Sequence, residues 1–377
     1  MKTINSIFSM AAVVVLSASA ISFVACSDGV EREASYCLKQ DYRYVKDKPL
    51  VDARLVREVP NTENYNATSI TVFDSLGIVR NSGLGGTNVH SVLNINSGED
   101  LGSFCPTGRG PKDMSLGVMP IDNPHYVDGE LVAGFYDVNR NKIFVWNISR
   151  SIRSGYTEYE SVEEQPKLSE RIHYPYVLND QLYLHYTQGE ASSYVGSESW
   201  SVRSPKIQLR RRADLSLERE YDIFVDTLKQ VKWEEVEENP IGTPRVAPSG
   251  DKIVFYLSGK PQINILDVQS GELVATRIKG EKVADDAEHY YTYTLCDEKY
   301  IYLHYPKSET EMGTSTDEMS EYFKVNKSQI HVFDYDGNLV GRYKLDGLYS
   351  SISVYDGKLY AHVHYSGRLT EYDLGLK

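Results

Sequence analysis

Cysteine is scarce, with four residues in 377, at positions 26, 37, 105 and 296. No C-x-x-C or C-x-x-x-H spacing is present, which excludes a zinc finger or ribbon, and so few thiols exclude a disulfide scaffold. If Cys26 is used elsewhere, Cys37, Cys105 and Cys296 allow at most one internal bridge. Positive charge is also short: 40 Lys and Arg stand against 53 Asp and Glu, a net charge of −13 with no basic stripe. Nucleic acid is therefore excluded as a partner, because its phosphates would be repelled. Catalytic signatures are missing too. There is no G-x-S-x-G elbow, no H-E-x-x-H, no G-x-x-x-x-G-K-[ST] and no G-x-G-x-x-G before a helix. No cofactor or metal is expected, and sequence alone picks no catalytic pair from the carboxylates.

Long apolar runs are absent after the first 25 residues. What remains is short, β-branched and aromatic, with 29 tyrosines, as suits half-buried strands. Residues 246–277, VAPSGDKIVFYLSGKPQINILDVQSGELVATR, read as a four-stranded antiparallel meander with turns at Pro248-Ser249-Gly250-Asp251, Ser258-Gly259-Lys260-Pro261 and Gln269-Ser270-Gly271. The first turn and its strand recur as VDGELVAGFY, LNDQLYLHY, CDEKYIYLHY and YDGKLYAHVHY, with a weaker DSLGIVR from Asp74. Between Ile78, Leu131, Leu182, Ile253, Ile301 and Leu359 the spacings are 53, 51, 71, 48 and 58 residues. Six such units fill the chain after its leader. The expected fold is all-β, a six-bladed β-propeller of four-stranded antiparallel blades.

Residues 1–25 carry a positive start at Lys2 and an apolar core, a targeting segment outside the fold. Phe23-Val24-Ala25-Cys26 resembles a bacterial lipobox, which implies cleavage before Cys26, diacylation of that residue and a place in the cell envelope. A plain secretory signal or a membrane anchor is the competing reading, but the apolar run is short for a span. Cys26-Ser27-Asp28 has no aspartate directly after the cysteine and so does not resemble the inner-membrane retention signal. The outer membrane is the expected location, its periplasmic or surface face left open. Residues 26–49 are then a tether and residues 50–377 the propeller. The last unit ends one strand short, so residues 50–59 are expected to complete the sixth blade.

The lipobox, Gly108-Arg109-Gly110-Pro111 and the turn-plus-strand from Ala247 to Phe255 together resemble the TolB-like six-bladed propeller lipoproteins of Bacteroidetes, over roughly residue 70 to the end. Lys112-Asp113-Met114 departs from the Gly-Glu-Phe common after that proline. The departure puts in doubt any site carried over to residues 108–111.

Two long polar insertions follow Leu-His-Tyr, at residues 187–206 and 306–328. Propeller topology places both on the face that also carries the Arg109 connector. Loops on a rigid scaffold tend to hold function, so Arg109, Tyr194, Trp200 and Tyr322 are the candidate contacts; tolerated surface insertion is the plainer reading. For Arg109 the plainer reading is a guanidinium bonded to loop carbonyls. His185, His304 and His362 fall at equivalent positions, a blade apart, which fits packing or hydrogen bonding better than a metal. Asp74-Ser75-Leu76 and Asp226-Thr227-Leu228 resemble a short O-glycosylation acceptor easily met by chance. The expected function is a non-enzymatic binding or scaffold module engaging an envelope protein or glycan. The alternatives are a carbohydrate or small-ligand binder, and a hydrolase or lyase with its site at the axis.

Overall fold

The turn-and-strand unit repeated in the sequence builds one kind of sheet six times. In the fourth copy Arg245–Val246, Lys252–Tyr256, Gln262–Asp267 and Leu273–Ile278 pair in order as an antiparallel meander. Gly250 and Gly271 close two of its turns at φ of 73° and 79°, where a Cβ would be strained. The computed structural model describes residues 32–33, 37–65, 67–82, 87–165, 173–187, 191–193, 199–203, 205–225, 227–232, 242–257, 260–280, 291–307, 325–363 and 366–376.

The other sheets follow the same order. The first runs through Ala67–Phe73, Leu76–Asn81, Asn88–Asn94 and Asp100–Pro106. In the second, a broken innermost strand of Val118–Pro120 and His125–Val127 precedes Glu130–Asp137, Lys142–Asn147 and Glu158–Glu164. The third comprises His173–Val177, Leu182–Thr187, Lys206–Arg211 and Leu217–Tyr221. The fifth comprises Tyr293–Cys296, Tyr300–Lys307, Lys327–Asp334 and Leu339–Lys344. Ser351–Tyr355, Lys358–His362 and Leu369–Asp373 begin the sixth.

Strands such as Lys252–Tyr256 read apolar throughout because both faces of every sheet are covered by a neighbour. Ile253 and Phe255 pack with Leu184 and Leu209 of the third sheet, while Val254 and Tyr256 pack with Ile301 and Leu303 of the fifth. Further clusters join the first sheet to the second around Phe104 and Trp146, and the second to the third around Ile143 and Tyr183. Two more join the fifth to the sixth around Val332 and Tyr372, and the sixth back to the first around Leu369 and Val79. That last cluster closes the ring, and the protein is a six-bladed β-propeller. Each side chain fully buried in this way contributes roughly 1.5–3 kcal/mol.

The N-terminal arm runs around the outside of this ring. Leu38 bridges to Phe224 beyond the third blade, and Tyr42–Val45 pairs in parallel with the outer strand of the fourth. Leu50–Asp52 pairs in parallel with the outer strand of the fifth, and Arg54–Glu58 pairs antiparallel with Leu369–Asp373 as the fourth strand of the sixth. The single strand expected over residues 50–59 is thus two short ones separated by Ala53, and only the second closes the last blade. The segment read as a tether is docked from Cys37 onward: Cys37, Leu38 and Tyr42 are buried in the core between the third and fourth blades. Cys105 and Cys296 are free thiols, the first buried and the second half-buried.

The sequence reading held no helix, and one is present at Ile148–Ser154 between the outer strands of the second blade. Asn147 caps it by accepting from the Arg150 amide at 2.7 Å, and Gly155 ends it at φ 76°.

Candidate binding face

Strands alternate in direction from the axis outward. Loops between the second and third strands, and the connectors between blades, therefore emerge on one face, here the connector face. The tight turns emerge on the other. Residues 191–193 and 199–203 belong to the insertion of the third blade and residues 227–232 to the connector that follows it. They pair with one another, Ala191 to Val202 and Trp200 to Val231, as a separate three-stranded antiparallel sheet. The insertion thus carries strands of its own, which sequence reasoning missed because its partner strand lies on the far side of the third blade's outermost strand.

The connector from the first to the second blade carries the Gly-Arg-Gly-Pro stretch. Its fold is set by two groups outside that motif. The Asp113 carboxylate turns back under the loop and accepts from the Gly110 amide at 2.6 Å. Arg140 reaches up from the second blade and donates to the carbonyls of Gly108, Gly110 (3.0 Å) and Asp113. Arg140 is held by Asp137, which is buried and also accepts from the Ser115 amide and hydroxyl, both at 2.7 Å. A Cβ at Gly108 would lie 2.2 Å from Asp113 Oδ2 and one at Gly110 2.9 Å, so a side chain at either position would push aside the carboxylate beneath it. Met114 is fully buried. Asp113 and Met114, the departure from the familiar motif, are therefore the residues that build this loop.

The expectation that Arg109 bonds the loop carbonyls is corrected: Arg140 does so, and Arg109 stands exposed at the tip. Trp200 lies in the strand Ser199–Arg203 of the accessory sheet. Cys26, Tyr194, Tyr322 and Asp226 lie outside the described residues. The structure places Arg109 and Trp200 on one face. Ser75, the centre of one acceptor-like tripeptide, lies in a turn on the opposite face.

The innermost strands line the axis. Arg245, half-buried on the innermost strand of the fourth blade, holds its guanidinium 5.5 Å from the centre of the Tyr176 ring of the third blade. Burial raises the phenols of Tyr256, to about 12, and of Tyr293, while Arg245 pulls both back. Arg80 of the first blade also acts on Tyr293 and donates to the Leu116 carbonyl at 3.3 Å. Arg245 and Tyr176 thus meet between the fourth and third blades towards the connector end of the axis. Sequence reasoning missed them, since an arginine preceding a strand carries no local mark of facing an axis.

The three equivalent histidines are all buried, one per blade. His304 is hydrogen-bonded through both nitrogens, to Thr292 Oγ1 at 2.7 Å and Ser328 Oγ at 2.8 Å. Burial pushes His304 down to about 3 and, with Arg210 adding to the effect, His185 down to about 4. Asp122, at the break in the innermost strand of the second blade, is the one carboxylate among the described residues raised above its ordinary range. Burial is the cause, opposed by a 2.8 Å hydrogen bond from the Gly134 amide and by His125 and Arg212. That amide bond fastens the irregular 121–124 segment to the adjacent strand. Among the described residues no three His, Cys, Asp or Glu side chains converge as a metal site.

No family model and no curated protein matches the sequence. Among solved structures, a member of the DUF4221 family from Bacteroides vulgatus is similar at 11% identity, covering 91% of this chain and 97% of that one, with a TM-score of 0.52. A protein of unknown function from Bacteroides caccae (12% identity, 74% and 81% covered, TM-score 0.38) and BamB from Moraxella catarrhalis (12%, 81% and 71%, TM-score 0.35) are more distant in shape. At such identities the likeness to the Bacteroides vulgatus protein bears on the fold alone, and that fold is the propeller described above.

Proposed function

We propose that the protein is a non-enzymatic binding or scaffold module of the bacterial envelope, anchored through an acylated Cys26 and engaging its partner through the connector face. On this reading it is a TolB-like propeller lipoprotein, and its partner is an envelope protein or glycan. One observation carries the proposal: the third-blade insertion and the connector after it pair into an accessory sheet of their own. A tolerated insertion has no need of a second segment to complete it, whereas a platform for a partner gains from one, because paired backbone holds a surface more precisely than an unpaired loop. The lipid anchor and outer-membrane location rest on the lipobox.

The test is retention of solubilised envelope components and of a glycan panel by the purified full chain, against a variant whose residues 188–204 are replaced by a two-residue turn. Loss of a retained protein or glycan on shortening supports the reading and identifies the class of partner. Retention unchanged by shortening removes the accessory sheet from the interface. Metabolic labelling with a fatty-acid probe, abolished by Cys26→Ala, tests the anchor separately.

A further inference from the structure

We propose that the axial mouth on the tight-turn face, where the Phe73 ring packs against those of Tyr126 and Tyr355, binds a small alkylated ammonium ligand. The inference goes beyond the role proposed above, because this mouth lies at the opposite end of the axis from the connector face.

The first observation is that these rings stay within reach of water. Phe73 ends the innermost strand of the first blade, Tyr355 ends that of the sixth, and Tyr126 lies one residue from the end of that of the second. Ring centroids are 5.7 Å apart for Phe73 and Tyr126 and 5.0 Å apart for Phe73 and Tyr355, so three blades converge on one group of rings. Tyr126 is 54% exposed, and the other two are half-buried. Every other pair of packed rings among the described residues has at least one buried member, as Tyr302 beside Tyr300 or Phe144 beside Tyr159. Those rings serve the core. Aromatic surface gathered from three blades and left open marks a contact site instead.

The second observation is charge. The turn after each of these strands carries an exposed aspartate at positive φ: Asp74 (55°), Asp128 (50°) and Asp356 (49°). Tight turns favour that residue type, but the carboxylates are left over: among the described residues no lysine or arginine pairs with any of the three. Asp74 instead accepts a hydrogen bond from the Tyr126 hydroxyl at 3.2 Å, which ties a carboxylate directly to the rings. Ring faces are negative in their quadrupole, so rings and carboxylates together attract a cation and repel an anion. The rings are inclined to Phe73 at 61° and 53° rather than stacked. Inclined faces suit one compact group, whereas a flat row would suit a sugar chain. Three rings also favour an alkylated, weakly hydrated ammonium over a primary one, whose strong hydration they cannot replace.

Isothermal titration of the full chain with choline, with the neutral alcohol in which a tert-butyl group replaces its trimethylammonium, and with cellobiose tests this. Choline should bind, and the neutral isostere about tenfold more weakly, about 1.4 kcal/mol. Tyr126→Ala should weaken choline by about tenfold. Asp74→Asn, which keeps a residue tolerant of positive φ, should weaken it by about threefold and leave the isostere unmoved. Tyr156→Ala, at an exposed tyrosine outside the cluster, should change nothing. Equal binding of choline and its isostere, tighter binding of cellobiose, or no choline binding at millimolar concentration overturns the inference. Indifference of choline binding to Tyr126→Ala overturns it as well, and if that variant melts early, indifference to Asp74→Asn does so in its place. The variant lacking residues 188–204 should lose the macromolecular partner and keep choline, so the two proposals fail separately.

Discussion

Arg57 fastens the ring, and removing it should cost more than any surface pair. Its Nε donates to Glu371 of the sixth blade at 2.7 Å, and its other nitrogens donate to the Ile95 carbonyl and Asn96 Oδ1 of the first blade, both at 3.0 Å. One side chain on the closing strand thus joins the last blade to the first. Glu371 is 1% exposed. Burial alone would raise its carboxyl, but the hydrogen bonds from Lys358 and Arg57 outweigh that and hold it below the ordinary glutamate range. Arg57→Ala leaves the carboxylate buried with Lys358 alone. Complete loss of a buried partner costs about 3–5 kcal/mol; with Lys358 retained and Arg57 partly exposed, about 2–3 kcal/mol is expected. Arg57→Ala and Glu371→Gln should couple by about 1–2 kcal/mol in a double-mutant cycle read by urea unfolding. The pH dependence has a fixed sign. Because the folded carboxyl titrates lower than the unfolded one near 4.5, its contribution is present above pH 4.5 and fades as pH falls through the folded value. The gap between wild type and Arg57→Ala should therefore narrow below pH 4.5. A loss no larger than that caused by Arg153→Ala, which removes an exposed ion pair with Glu130, would refute the clasp.

Three further outcomes follow from the packing. His90 is held down to about 3 by burial and by Arg80, so the unfolded chain takes up a proton below pH 6.5 that the folded chain refuses. Stability should fall with acidification from pH 6.5 towards 4, and His90→Gln should reduce the slope by up to about 1.4 kcal/mol per pH unit, as read from urea midpoints across that range. Gly108→Ala forces a Cβ into Asp113; a loss of about 1–3 kcal/mol is expected, partly restored by adding Asp113→Gly and visible as faster amide exchange from Thr107 to Met114. Tyr42→Ala removes a ring that is 1% exposed and lies 3.8 Å from the Arg277 guanidinium; a loss of about 3–5 kcal/mol in calorimetry would show the arm to be part of the core.

The sheets were legible because the inter-blade packing writes itself into each strand. Covered on both faces, Lys252–Tyr256 and Tyr300–Lys307 appear as short apolar runs, and the turns between them need Gly250, Gly357 or an aspartate at positive φ such as Asp128. Ring closure was legible by subtraction, from a last unit one strand short, but the break at Ala53 was not. Parallel edge pairing of Leu50–Asp52 needs only a few backbone hydrogen bonds and leaves Leu50 and Val51 40% and 47% exposed. The helix had a local signature in Asn147 and Gly155 that a search for strands passed over. On the candidate face, the motif glycines pointed to the right loop and the wrong arginine. Whether Arg109 or Arg140 meets the carbonyls depends on a turn about 30 residues later in the chain, and the contact of Arg245 with Tyr176 depends on two blades at once.

The most direct measurement is hydrogen exchange of the full chain in solubilised envelope, with and without the retained partner. Protection confined to residues 107–117, 199–203, 227–232 and 242–246 is expected, since all lie on the connector face or at its axial mouth. Protection falling instead on the opposite-face turns at residues 179–181, 249–251, 297–299 and 356–357, with the connector face unchanged, would contradict binding through that face.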